Sequence, residues 1–134
     1  MKSTFLSIII IILFLCNSCS SFMVSKGKIN LITGIWRTEK VEGNLKTGSD
    51  LWKMEMEEAR NTIYVFNENM TAELRVKKLI NRINWKLGSG NQLILERGND
   101  RITYQIEKLT EDEMVLISKH PSGSIKNTLK KIRR

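Results

Sequence analysis

Cysteine is scarce in this chain of 134 residues and stops early: the only two, Cys16 and Cys19, precede the body of the sequence. A core built downstream of them holds no disulfide. Histidine is scarcer still, and a lone His120 excludes the clustered Cys and His ligands that zinc requires. His120 stands beside Pro121 and Gly123 in a turn-like stretch, with no cysteine in the body to activate, and reads as a surface residue. No Gly-x-Ser-x-Gly elbow occurs, Gly88-Ser89-Gly90 being a turn, and no glycine-rich phosphate loop leads into a helix. The acidic groups Glu55, Glu57, Glu58 and Glu111, Asp112, Glu113 lack the spacing of a calcium-binding loop and read as solvated acidic surface. The expectation is a protein with no metal, no cofactor and no conventional catalytic site.

A single long apolar run is present. Phe5 to Leu15 is apolar apart from Ser7 and follows the positive Lys2, which is the build of a secretory signal. It is short of the roughly 20 apolar residues that span a bilayer. Behind it stands Cys16-Asn17-Ser18-Cys19-Ser20-Ser21, a cysteine after a small residue with serines following, and this arrangement resembles a bacterial lipobox. The resemblance implies cleavage before Cys19, a diacylglyceryl group on its sulfur and a palmitate-type acyl chain on the new amino terminus. Cys16 is the rival acceptor, and an ordinary cleaved signal or an uncleaved anchor are the alternatives. Two or more acyl chains suffice for stable anchoring where one is marginal. The expected location is therefore the cell envelope, at a membrane, with the outer membrane as first choice.

Residues 1–18 are thus read as the signal, 19–29 as a tether and 30–134 as one domain, long enough to bury a core. Basic residues outnumber acidic ones for a formal net charge of +8, of which the signal accounts only for Lys2. Lys126, Lys130, Lys131, Arg133 and Arg134 crowd the end of the chain, and Lys77, Lys78 and Arg82 form a second group. In an exported protein these predict solvated strand ends, or attraction to anionic headgroups or envelope polymers, not nucleic acid.

Within the domain the period is two. Ala72, Leu74 and Val76 alternate with polar residues between Thr71 and Lys78, as do Ile83, Trp85 and Leu87, and Ile102, Tyr104 and Ile106, so each stretch predicts a strand with one buried face. Thr62–Phe66, Gln92–Glu96 and Met114–Ser118 are continuous apolar runs that predict strands covered on both faces. Asn67–Met70, Gly88–Asn91, Gly98–Asp100 and Thr110–Glu113 carry the residues that hairpin turns favour. Asp50–Arg60 reads as strand or helix, with strand preferred. Ser124–Ile132 has helical spacing, but a closing strand suits the topology. A meander of this kind avoids bare edges by closing on itself, so the fold class is all-β, an antiparallel up-and-down barrel of roughly eight strands.

Thr33-Gly34-Ile35-Trp36, at the start of the domain, resembles the Gly-x-Trp opening of lipocalins, and Tyr64–Thr71 and Thr128–Ile132 are similar to later strands of small bacterial lipocalin-like lipoproteins. The resemblance implies that Gly34 and Trp36 plug one end of the barrel and that Lys131 or Arg133 packs over the tryptophan. It further implies a small hydrophobic ligand, and the apolar faces nominate Leu74, Val76, Trp85, Leu87, Tyr104 and Ile106 as its lining. The same residues would equally fill a solid core. A ligand-free module that docks another envelope protein through its surface is the alternative function.

Overall fold

The computed structural model describes residues 26–45, 56–121 and 123–133, so the signal and the lipidation assignment at Cys19 lie outside the described residues. The chain divides into two units, Met1–Asn30 and Leu31–Arg134. Residues 26–30 of the first are helical, and the winding (α1, 26–32) ends at Ile32. The second unit holds eight strands: β1 (Gly34–Leu45), β2 (Thr62–Phe66), β3 (Thr71–Val76), β4 (Leu79–Gly88), β5 (Gln92–Arg97), β6 (Asp100–Leu109), β7 (Glu113–His120) and β8 (Gly123–Arg133). Each is antiparallel to the next, and β8 pairs with β1 from Ile35 opposite Arg133 to Leu45 opposite Gly123, which closes a barrel. This is the up-and-down architecture that the alternation and the turn residues predict.

Residues opposite one another in a ladder share a face, so the register traces the interior. Trp36 opposes Tyr64, which opposes Leu74; Leu93 lies between Leu87 and Tyr104; Leu116 lies between Ile106 and Asn127. Trp36, Phe66, Trp85, Leu93, Met114, Leu116 and Leu129 are almost wholly buried there. Each contributes about 1.5–3 kcal/mol by leaving water. In β5 and β7 the outward Ile94 and Val115 are buried too, as the continuous apolar runs predict. Register shifts between Thr38 and Lys40 and between Ile106 and Lys108 bend β1 and β6 around the barrel.

Two segments differ from the sequence reading. Asp50–Arg60 is expected as a strand, yet residues 56–60 form a helical turn (α2), and 50–55 lie outside the described residues. Met56, Glu57, Glu58, Ala59 and Arg60 all tolerate or favour helix. Asn61 and Thr62 end it by donating side-chain hydrogen bonds to the Glu57 and Glu58 carbonyls at 2.9 and 2.7 Å. The strand expected over Thr71–Lys78 stops at Val76: Lys77 and Lys78 make a two-residue turn, and β4 begins at Leu79. Lys77 adopts φ 55° where glycine or asparagine is usual, so composition gives no sign of this turn. Ser124–Ile132 is strand, within β8.

The two ends of the barrel are built differently. The β2–β3, β4–β5 and β6–β7 turns gather at the end that holds Trp36. Each extends a ladder past its turn: Trp85 N donates to Met70 O, Ile106 N to Asn91 O and Lys131 N to Asp112 O, at 2.8–2.9 Å. The β3–β4, β5–β6 and β7–β8 turns lie at the opposite, far end.

Candidate ligand-binding interior of the barrel

The Trp36 end is sealed. Gly34 has φ 138°, a conformation that side chains rarely allow, and it delivers the chain from α1 into β1. Trp36 then points inward, fully buried, and its Nε1 donates to the Ile32 carbonyl at 2.7 Å. Lys131 of β8 sets its ammonium 4.8 Å from the centroid of the tryptophan ring and donates to the Leu31 and Thr33 carbonyls at 2.6 and 3.0 Å. Of the two basic residues nominated for that position, Lys131 occupies it. A cation on a ring face and charge-assisted hydrogen bonds together lock the plug.

All six nominated lining residues fall on the inward side of their strands. Trp85, Tyr104 and Ile106 are buried, while Leu74, Val76 and Leu87 are half-buried. An aromatic row runs beside them: Tyr64 stacks on Phe66 at 6.1 Å, and Phe66 meets Trp85 edge to face at 5.6 Å. Trp85 Nε1 donates to the Asn67 carbonyl at 3.0 Å. Burial pushes the Tyr64 and Tyr104 hydroxyls above their ordinary range, and the two interact with each other, so both stay neutral. Thr38 Oγ1 donates to the Thr62 carbonyl at 3.1 Å, and Ser118 Oγ lies 3.2 Å from Nε2 of the exposed His120. Asn127 is buried between Val41 and Leu116, and its Oδ1 has no hydrogen-bond partner. Tyr64, Ser118 and Asn127 escape sequence reasoning because they sit in continuous apolar runs or in the segment of undecided period.

At the far end the inward side stays wet. Leu74, Val76 and Ile83 are half-buried, and Leu79 and Ile102 keep 71% and 46% of their surface in water, although all five lie on the inward side of the ladder. Leu87 and Leu109, inward at the Trp36 end, are half-buried as well, so it is the strong exposure of Leu79 and Ile102 that sets the far end apart. The opening has a structural cause. The last β4–β5 pair towards this end is Asn84 with Glu96, and Leu79–Ile83 pair with β3 alone. A cleft of about 360 Å³ runs along the wall from Asn67 and Thr71, at the β2–β3 turn, to Gly98 at the β5–β6 turn, lined mainly by the outward Glu73, Arg82, Asn84 and Glu96. Arg97 Nη1 reaches Asn81 Oδ1 across the gap at 3.4 Å.

Among the described residues no three His, Cys, Asp or Glu side chains converge to hold a metal, and no helix is long and apolar enough to cross a membrane. No family model matches this chain, and neither a curated protein nor a solved structure matches it.

Proposed function

We propose that this protein is a lipocalin-like envelope lipoprotein, anchored through a lipid on Cys19, whose barrel takes up a small and mainly apolar molecule at its far end. The observation that carries the reading is the contrast between the ends. One is locked by Trp36 and Lys131, while at the other the inward-facing Leu79 and Ile102 meet water. A solid barrel has no use for that asymmetry, whereas a binding barrel needs one closed end and one mouth. The role is binding and not catalysis, since the interior offers neutral hydroxyls and an amide among aliphatic and aromatic walls. The apolar run that ends in Ser18-Cys19 supports the anchor and the envelope location.

Native mass spectrometry of the protein purified from a bacterial host, followed by organic extraction, tests the binding role. A stoichiometric small apolar molecule is the expected result, and an empty, stable barrel would turn the reading towards a module acting through its surface. For the anchor, a Cys19→Ala protein is expected to lose acyl label and leave the membrane fraction. Retention of both would refute it.

A further inference from the structure

Leu79 and Ile80 are the most exposed large apolar side chains among the described residues, at 71% and 55%. They are consecutive in a strand, so they point to opposite faces of β4, and the tip of the β3–β4 hairpin is apolar on both sides. On the β5 side Leu79–Ile83 have no partner strand, so the tip stands clear of the barrel wall. Cations surround it. Lys77 and Lys78 form the turn, exposed and without an ion-pair partner among the described residues, and Arg75 and Arg82 flank it. The only acid from Thr71 to Arg82 is Glu73, which Arg75 engages at 2.7 Å and from which Arg82 lies 3.8 Å away.

We infer that this hairpin tip is a wedge that docks the barrel onto an anionic lipid bilayer. An acidic protein surface would satisfy the lysines and still leave one of two opposite-facing aliphatics in water. A bilayer surrounds the tip, takes both aliphatics below the headgroups and lets the long lysine side chains reach back to the phosphates. Each lysine close to an anionic surface strengthens partitioning about fivefold, an effect that salt screens. The docking does not depend on what the barrel binds.

The test uses the full chain with Cys16→Ser and Cys19→Ser, and a nitrobenzoxadiazole label at Asn81→Cys, which preserves both aliphatics and all four cations. A label at Glu68→Cys, in the β2–β3 turn at the opposite end, is the control. On phosphatidylcholine vesicles containing phosphatidylglycerol, the label at 81 is expected to shift to the blue and brighten severalfold while the label at 68 does not. Lys77→Glu with Lys78→Glu is expected to weaken the response more than tenfold, as is high salt, and Leu79→Ser with Ile80→Ser to abolish it. All four residues are exposed, so the barrel tolerates their replacement, and circular dichroism checks that it does. Aqueous emission from residue 81 on the anionic vesicles, an equal response at residue 68, or indifference to both double substitutions would overturn the inference.

Discussion

The ammonium of Lys131 binds three parts of the chain at one atom: the last strand, the ring of Trp36 and the carbonyls that flank Ile32. Charge-assisted hydrogen bonds of this kind are worth about 1.5–3 kcal/mol, and the ring contact adds to them. Lys131→Met is therefore expected to cost about 2–3 kcal/mol, read as a lower urea midpoint at an unchanged slope. Asn127 is the opposite case. Its Oδ1 is buried without a partner, and replacing an unsatisfied polar group by an apolar one of similar size relieves desolvation. Asn127→Leu is expected to leave stability unchanged or raise it by about 1 kcal/mol, and a loss of that size in the same urea measurement would show that the amide is satisfied in solution. The two tyrosines of the chain are Tyr64 and Tyr104, and burial raises both. Phenolate absorbance should consequently stay flat past the ordinary value of 10 and appear only as the far-ultraviolet dichroism of the barrel collapses. A smooth titration near 10 in folded protein would contradict the burial.

Among the elements, the β3–β4 turn is the one that chemistry least predicts. A lysine at φ 55° is strained by about 1 kcal/mol relative to glycine, so Lys77→Gly is expected to raise the thermal midpoint while removing one cation from the tip. The same turn marks the limit of what sequence reveals. Alternation at Ile83–Leu87 and Ile102–Ile106 names the strands and their inward faces directly, and the Gly34-Ile35-Trp36 motif names the plug. The runs in β2, β5 and β7 have no period, so Tyr64 and Ser118 stay hidden even though their strands do not. The turn at Lys77–Lys78 carries neither glycine nor asparagine, so β3 reads too long and Leu79–Arg82 go unassigned. The opening at the far end is invisible with them, because it exists only where β4 outruns β5. At residues 56–60 local helix propensity prevails, and the side chains of Asn61 and Thr62 close the turn on the Glu57 and Glu58 carbonyls.

Over the whole molecule, glutamates on the outer wall are held between cations from neighbouring strands. Lys108 and Lys130 hold the Glu113 carboxyl down to about 2, and Lys86 with Arg101 lowers Glu96, as Lys40 lowers Glu42. A lowered carboxyl stabilises the fold fully above its ordinary value of 4.5 and ceases to do so as pH falls towards the folded value. Lys126 and Lys130, raised by Glu107 and Glu113, stabilise below their ordinary 10.5 and cease to do so above it. The thermal midpoint is therefore expected to hold level through neutral pH and to decline between 4.5 and about 2, less steeply in Glu113→Gln. Added salt should shrink that difference, because these pairs are exposed. The seam between β1 and β8 has a consequence in time. Every other pair joins strands adjacent in the chain, but this one joins β1 to β8 and waits for β8 to be made. Until then β1 and β7 each present a bare edge, and long-range pairing of this sort forms slowly. A chain cut before Gly123 lacks both the closing strand and Lys131, so β1 and β7 keep their bare edges and the seven strands already made stay open to wrong pairing; the barrel exists only from the moment β8 is in place.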